Sequence, residues 1–469
     1  MKFLLFSLSL CGALALSAAP KYVFLFIGDG MSMPQRMVGE EFARKSGYGP
    51  LAMNGLPYQC STRTRSANQI VTDSAAAATA IACGEKANNG SLGVSPEGKR
   101  LQSVAEFAKS RGKKVGVMTT VTICHATPAG FYAHRKSRSE SYRIGLDLVS
   151  SGFDYFAGGG MGGKADDRKD SDYRGDIFAL AEAAGYKIVR TKDEFAALKP
   201  GAGKVWGAFS DGRLDFSIDW SGTQPTLAEL VAKGAELLDN PEGFFIMAEG
   251  GTVDYGAHAN DAGVVLNDVL ALDRAVKVAV DWQNAHPNET LVITTGDHET
   301  GGMAMGFAGT GYNLHIGLLA RQKISGESFS RLVTERIKAD PKLTFADMKP
   351  LLKEKFGFVF ESQPGLSADD RLMLLKPDEI RQLEADFAND VAFVTRGKEE
   401  TKAHDVKRRK RFAATAVRLL SNHVGVGWTC GSHTALPTMT TAAGVGGDRF
   451  MGFLENADIA RRLKALLAE

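Results

Sequence analysis

The stretch KYVFLFIGDG, Lys21 to Gly30, decides the fold class. Six apolar residues, Tyr22 to Ile27, run without polar alternation into Gly-Asp-Gly. A strand with one wet face would alternate, so an unbroken run closed by glycine reads as a parallel strand buried on both faces and followed by a loop. The pattern returns in GKKVGVMTTV (Gly112–Val121), FDYFAGGG (Phe153–Gly160), GFFIMAEGG (Gly243–Gly251) and ETLVITTGDHETGG (Glu289–Gly302). Helical patterns separate these runs: Leu101 to Arg111, Arg174 to Gly185, Thr226 to Asp239 and Ala262 to Ala285. Strands alternating with helices predict an α/β fold, a doubly wound three-layer α/β/α sandwich around a mainly parallel central sheet. Ligands of such sheets bind beyond the carboxyl ends of the strands. Asp29, Glu249, Asp297 and His298 all fall at such ends.

The region from Leu314 to Asn422 reads differently. HIGLLARQKISGESFSRLVTERIKAD, TFADMKPLLKEKFGF, KPDEIRQLEADFAND and RFAATAVRLLSNHVG are helical by period and caps, with few strand signals among them. The expectation is a helical insertion over 314–422, interrupting an α/β unit formed by 20–313 and 423–469. The chain has 469 residues and a formal net charge of +2, so no strong attraction to a polyanion or a membrane surface is implied. The basic run KRRKR, Lys407 to Arg411, reads as a solvated helix face rather than a nucleic-acid site.

Residues 1–19, MKFLLFSLSLCGALALSAA, have the form of a secretory signal peptide: Lys2 as charged start, Phe3 to Leu16 as apolar core and Ser-Ala-Ala as exit. Pro20 makes cleavage directly after Ala19 awkward, so the cut falls there or a residue or two earlier. Leu10 is too large for a typical lipobox, which argues against anchoring through Cys11. No later apolar run of 18 residues exists, so the expectation is an exported protein, periplasmic or secreted, with no transmembrane segment. Cys60, Cys83, Cys124 and Cys430 remain; three pairings are open to them, and no CxxC pair suggests a thiolate metal site.

In VTDSAAAATAIACG, Val71 to Gly84, alanine favours helix, Thr72 or Asp73 caps its start and Gly84 stops it. Ser74 then lies in the first turn, where unpaired N–H groups and the helix dipole favour negative charge, and it is either a cap or a nucleophile placed to hold a phosphate. EGGTVDYGAH puts Glu249, Asp254 and His258 within ten residues, with Asp254 and His258 at i and i+4 on one helical face. GDHET sets Asp297 beside His298 on a turn. Carboxylate plus imidazole is a zinc-type ligand set. Of the nine histidines, His125, His258, His298 and His433 lie in Gly-, Asp- or Thr-rich loops beside strands and carry the site hypothesis. His286, His315, His404 and His423 lie in turns or helices away from those loops, and His134 reads as structural.

The segments FIGDGM, VTDSAAAATAIACGEKANNGSLGV, HATPAGFYAH, FAGGG, EGGTVDYGAH, TTGDHETGG and GSHT resemble those of the alkaline phosphatases, in the family's order, from residue 26 to 434. The helical insertion is the main part outside the resemblance. The resemblance implies a phosphate monoesterase in which Ser74 is the nucleophile and becomes a phosphoserine. It implies one zinc ion on Asp254, His258 and His433, and a second on Asp29, Asp297 and His298. A magnesium would sit on Asp29, Thr127 and Glu249, with His125 standing where some members place an aspartate. Arg138, thirteen residues after His125, matches the arginine that grips phosphate, with Arg135 as its competitor. Tyr255 stands where Lys, His or Trp is often found. The expected cofactors are therefore two Zn2+ and one Mg2+, the expected partners phosphate monoesters and inorganic phosphate, and the expected assembly a homodimer. Two competing readings are a phosphodiesterase of the same superfamily and an exported phosphate- or metal-binding protein without turnover. A sulfatase is disfavoured, because Thr-Asp-Ser-Ala-Ala is not a sulfatase maturation motif.

Overall fold

The structure, a computed structural model, describes residues 19–163, 165–395 and 411–469. Residues 1–18 with Cys11, and the segment holding His404 and Lys407 to Lys410, lie outside the described residues, so all of the expected signal peptide but Ala19, and most of the basic run, do too.

The strands are β1 (Tyr22–Gly28), β2 (Tyr58–Arg63), β3 (Lys114–Thr122), β4 (Tyr155–Gly159), β5 (Tyr186–Val189), β6 (Lys204–Ala208), β7 (Phe244–Gly250), β8 (Thr290–Gly296), β9 (Glu299–Thr300), β10 (Ala304–Met305), β11 (Val426–Gly427), β12 (His433–Thr434), β13 (Thr438–Gly444) and β14 (Gly452–Glu455). Ten of them form one sheet in the order β14-β2-β13-β8-β1-β7-β3-β4-β6-β5. Every pairing in it is parallel except those of β13 with β2 and β8. All seven residues of β1, β7 and β8 are buried. Successive side chains of a strand point to opposite faces. Phe24, Phe26, Phe244, Ile246 and Val292 thus enter one hydrophobic cluster, with the helices Leu227–Leu238 and Ala262–Ala285. Val23, Leu25, Phe245, Met247 and Ile293 enter the other, with the helices Val104–Ser110 and Asn456–Ala468. That is the expected α/β/α layering.

The five apolar runs became β1, β3, β4, β7 and β8. The other five strands of the sheet carry weaker signals. β2 and β13 are rich in Thr and Ser, and their buried hydroxyls are satisfied across the sheet: Thr440 of β13 pairs with Thr62 of β2 and with Thr295 of β8, both at 2.7 Å. Paired in this way, hydroxyls enter a sheet interior without the cost of an unmet hydrogen bond. β5 and β14 are four-residue edge strands. Between residues 314 and 422 the named elements are helical: Ile316–Arg321, Gly326–Ala339, Phe345–Phe356, Ala368–Leu372, Pro377–Thr395 and most of Arg411–Val424. Phe329, Phe356, Phe387 and Phe412 pack into the same cluster as Phe24 and Phe26. Cys60, Cys83, Cys124 and Cys430 are free thiols. No helix among the described residues is long and apolar enough to cross a membrane.

The feature that positions the site is the common ending of three neighbours. β8, β1 and β7 finish in register on Gly296, Gly28 and Gly250. The chain after β1 folds back at once, and a Cβ on Gly296 would stand 1.9 Å from the Met31 carbonyl oxygen. That atom is backbone and has no rotamer to yield. Gly296→Ala is expected to cost about 3 kcal/mol or more, the upper end of ordinary overpacking, read as a lowered urea midpoint. An unchanged midpoint would show that the Met31 turn gives way freely.

Candidate metal centre

The three strand ends converge acidic side chains. Asp29 follows Gly28, Asp297 follows Gly296 and Glu249 precedes Gly250, so each carboxylate leaves its strand within one residue of the shared row. Asp29, Glu249 and Asp297 are fully buried. The helix Thr252–His258 starts just after β7 and turns Asp254 and His258 to one side, Asp254 Oδ2 lying 3.3 Å from His258 Nε2. β12 pairs with β9, which places His433 opposite Thr300 and stacks its ring on that of His298, the centroids 3.7 Å apart.

Three groups of side chains result, each offering ligand atoms within 4.8 Å of one another: Asp254, His258 and His433; Asp29, Asp297 and His298; and Asp29, His125 and Glu249. Asp29 belongs to two of them. Thr127, on the short helix Ala126–Ala129, stands with its hydroxyl 3.2 Å from Asp29 Oδ2. The nine residues read from sequence as metal ligands therefore lie together.

The chemistry of these atoms fits cations. Asp29 Oδ1, Glu249 Oε1, Asp297 Oδ2 and His125 Nδ1 are buried without a hydrogen-bond partner. Such orphaned acceptors are costly in a protein interior unless a cation meets them. Burial, then the neighbouring charges of Asp297, Asp254 and Glu249, pushes the Asp29 carboxyl well above its ordinary range. Burial drives Asp297 up as well, with Asp254 adding to it. Glu249 is pushed up by burial to about 7. Burial opposes ionisation of Asp254 too, but the His258 hydrogen bond and the charges of His298 and His258 outweigh it and hold this carboxyl low. The same hydrogen bond lifts His258 to about 9. Burial and the Arg138 charge lower His125 to about 4.

The imidazoles are oriented by partners on their far nitrogens. His258 Nδ1 lies 2.9 Å from the Gly431 carbonyl oxygen, and His433 Nδ1 lies 2.9 Å from the Thr72 carbonyl oxygen. A proton on each Nδ1 leaves the Nε2 lone pair free for a metal. The two Nε2 atoms face each other at 3.2 Å, a geometry that a shared cation satisfies.

Ser74 opens the helix Ser74–Cys83, and Asp73 is its N-cap, accepting from Ala76 N–H at 3.0 Å. The Ser74 hydroxyl is buried 3.1 Å from His298 Nε2, facing the centre. Arg138 donates to Asp73 Oδ2 at 3.2 Å and lies 3.2 Å from His125 Nε2. Arg135 is turned elsewhere, forked onto both oxygens of Asp147 at 2.6 and 2.8 Å. His134 bridges the Gly93 carbonyl and Glu106, and His423 bridges the Leu372 carbonyl and Glu379; neither reaches the centre. Tyr255 is half-exposed, its ring 6.1 Å from that of His125.

Sequence reasoning overlooked the residues that hold the ligands. The Thr119 hydroxyl donates to Glu249 Oε2. Thr300 donates to Asp254 Oδ1 at 2.6 Å. Glu299 is buried and accepts from Gln35, Gly302 N–H, Met303 N–H and Thr434, which ties the His298 segment to the His433 segment. Thr300 had a signal: on an extended segment it shares a face with His298, two residues earlier.

Carboxylates and imidazoles gathered beyond the strand ends of this sheet, with a helix-start serine turned toward them, define a hydrolase of the α/β class. Comparison with known proteins narrows the class. The alkaline phosphatase family model matches residues 20–468, and the chain belongs to that family. Alkaline phosphatase 4 of Bacillus subtilis (strain 168) is 29% identical over 405 residues, 85% of this chain and 77% of its own length. The crystal structure of a cold-active alkaline phosphatase from a psychrophilic Shewanella species is 26% identical, covers 96% of this chain and 100% of that one, and superposes with a TM-score of 0.79. That of Thermus thermophilus alkaline phosphatase is 26% identical, covers 97% and 92%, and gives 0.77. The protein is an alkaline phosphatase enzyme, and the reading of a binding protein without turnover is set aside.

The raised acids make a prediction about the metal-free protein. Asp29, Asp297 and Glu249 hold protons in the native state at pH values where the unfolded chain has released them, and so does His258. Their stabilisation is complete below the unfolded values and is lost as pH rises through the native ones. His125, between about 4 and 6.5, and His298, held by burial well below its ordinary value, act in the opposite sense as pH rises toward 6.5. With chelator present, the melting temperature is therefore expected to fall with rising pH, most steeply from 6.5 to 9. With divalent metal present the fall disappears, because the cation replaces those protons. A flat profile in chelator would contradict the placement of these four groups.

Proposed function

We propose that the protein hydrolyses phosphate monoesters through a phosphoserine on Ser74. Two zinc ions would bind one to Asp254, His258 and His433 and one to Asp29, Asp297 and His298, with a magnesium on Asp29, Thr127, Glu249 and His125. The observation that carries this reading is the Ser74 hydroxyl, buried at a helix start and 3.1 Å from His298 Nε2. A serine that served only as a cap would turn back to its own helix. Here Asp73 is the cap, and Ser74 Oγ is left for chemistry.

Bound in these groups, the cations would supply Lewis-acid stabilisation for the attacking and leaving oxygens of an in-line displacement. The protein's own atoms supply the rest. Ser74 Oγ gives up its proton and attacks phosphorus, a new P–O bond forms, and the ester P–O bond breaks, the leaving oxygen taking up one proton from solvent to depart as the alcohol. Water then cleaves the phosphoserine and inorganic phosphate departs. The transferring group spreads charge over three equatorial oxygens. The Ser74 and Ala75 amides precede the first intrahelical bond, Ala77 N–H to Asp73 O, and remain available as donors, while Ala76 N–H is taken by the Asp73 cap. The Arg138 guanidinium, held by Asp73 beside His125, can fork onto two of those oxygens. His125 brings nitrogen to a set of oxygen donors, which widens the third group's choice of metal beyond magnesium. The composition of residues 1–19 supports export to the periplasm or medium, the helices of 314–422 are read as an insertion in the catalytic α/β domain, and the family resemblance supports a homodimer.

Acid quench during turnover of a labelled monoester is expected to trap phosphate on Ser74. Ser74→Ala should lose the label while keeping its metal content, and label on any other residue would overturn the assignment. Arg138→Ala is expected to lower kcat/KM and phosphate inhibition by about ten- to a hundredfold, equivalent to about 1.5–3 kcal/mol for hydrogen bonds to a charged group. Arg135→Ala should leave both unchanged, and the reverse pattern would reassign the phosphate arginine.

A further inference from the structure

The groups Asp254–His258–His433 and Asp29–Asp297–His298 share no ligand. One side chain nevertheless touches both. Thr300 is fully buried, and its hydroxyl lies 2.6 Å from Asp254 Oδ1 and 3.2 Å from His298 Nδ1. Its backbone pairs across the β9–β12 ladder with His433. A hydroxyl carries one donor and two acceptor sites, so it can receive a proton from one partner while giving its own to another. When His298 Nε2 is a ligand, its proton is on Nδ1. The chain of donors then has one direction, His298 Nδ1–H to Thr300 Oγ1, and Thr300 Oγ1–H to Asp254 Oδ1.

A second, independent feature protects this arrangement. Gly30 has a φ of +66°, and a Cβ there would stand 2.7 Å from Asp254 Oδ1 and 2.9 Å from Thr300 Oγ1. Any side chain at position 30 would enter the space of the relay, and the loop carrying Asp29 passes it only as glycine. β-Branching adds stiffness, because it limits Thr300 to few χ1 rotamers and keeps the hydroxyl between its partners.

We propose that Thr300 is a positioning residue that couples the Asp254–His258–His433 and Asp29–Asp297–His298 groups, by orienting one ligand of each through a single hydroxyl. The inference rests on the metal assignment given above. It goes beyond it in making the two groups interdependent: one hydroxyl fixes the orientation of a ligand in each, so loss of that hydroxyl would loosen both.

The test uses metal-free full-length protein, zinc titrated against a competing chelator, and 113Cd NMR of the cadmium-loaded form. Thr300→Val is expected to weaken zinc binding at both of these groups by about ten- to a hundredfold, the usual effect of losing a partner that orients a metal ligand, and to move both cadmium resonances. Thr300→Ser keeps the hydroxyl and should recover most of both. Thr440→Val serves as the structural control. It removes a buried hydroxyl bonded to Thr62 and Thr295 and to none of the proposed ligands, and should leave both steps in place. A loss confined to one step, or an equal loss in Thr440→Val, overturns the relay and leaves the metal assignment standing. Wild type that takes up fewer than two zinc ions overturns the assignment itself and the relay with it. A measurement on wild type needs no variant: in zinc-loaded protein labelled with 15N-histidine, the His298 Nδ1 proton should exchange slowly with solvent. Rapid exchange would show that Thr300 does not hold it.

Discussion

Mutual repulsion of buried carboxylates governs this molecule. Asp29, Glu249, Asp254 and Asp297 all lie buried around one point. Asp29 and Asp297 bring oxygens within 4.8 Å of each other. At that distance two like charges repel by about 3 kcal/mol at an effective dielectric of about 20, and several such pairs are a large fraction of a typical folding free energy of about 5–15 kcal/mol. Protons or cations must therefore occupy the centre. The raised values of Asp29, Asp297 and Glu249 are the protonic answer, and the orphaned acceptors are the places where cations complete the same balance.

The scaffold concentrates that repulsion instead of relieving it. Three parallel strands end in register on glycines, and the hydrophobic clusters on both faces of the sheet hold them there. Parallel strands aim all their carboxyl ends to one side, so side chains remote in sequence meet without any local motif. Buried donors then distribute the load. Thr119 serves Glu249, Thr300 serves Asp254, Gly30 N–H serves Asp297 at 3.0 Å, and Glu299 binds the last two loops together.

Asp73 shows how one residue can serve fold and chemistry at once. One carboxylate oxygen caps the helix, which frees the Ser74 hydroxyl, and the other holds Arg138 beside it. The helix start that bears Ser74 and the Arg138 guanidinium are thereby registered to each other through a single side chain. The Thr72 carbonyl just before it orients His433, so the same loop also reaches the cluster of carboxylates and imidazoles.

Much of this was legible in the chain. Unbroken apolar runs closing on Gly-Asp-Gly and Gly-Asp-His marked the central strands, because burial on both faces leaves no room for alternation. The i, i+4 spacing of Asp254 and His258, and Ser74 behind a capping aspartate, marked candidate site residues, because helical geometry is local. β2 and β13 stayed hidden, since their buried threonines satisfy one another only across the sheet. The convergence of Asp29, Thr127, His298 and His433, the choice of Arg138 over Arg135 at the centre, and the bridge made by Thr300 depend on strand order and register. Local sequence determined which residues could act as ligands, caps or nucleophile; long-range packing alone decided which of them meet, because the contacts join segments up to hundreds of residues apart.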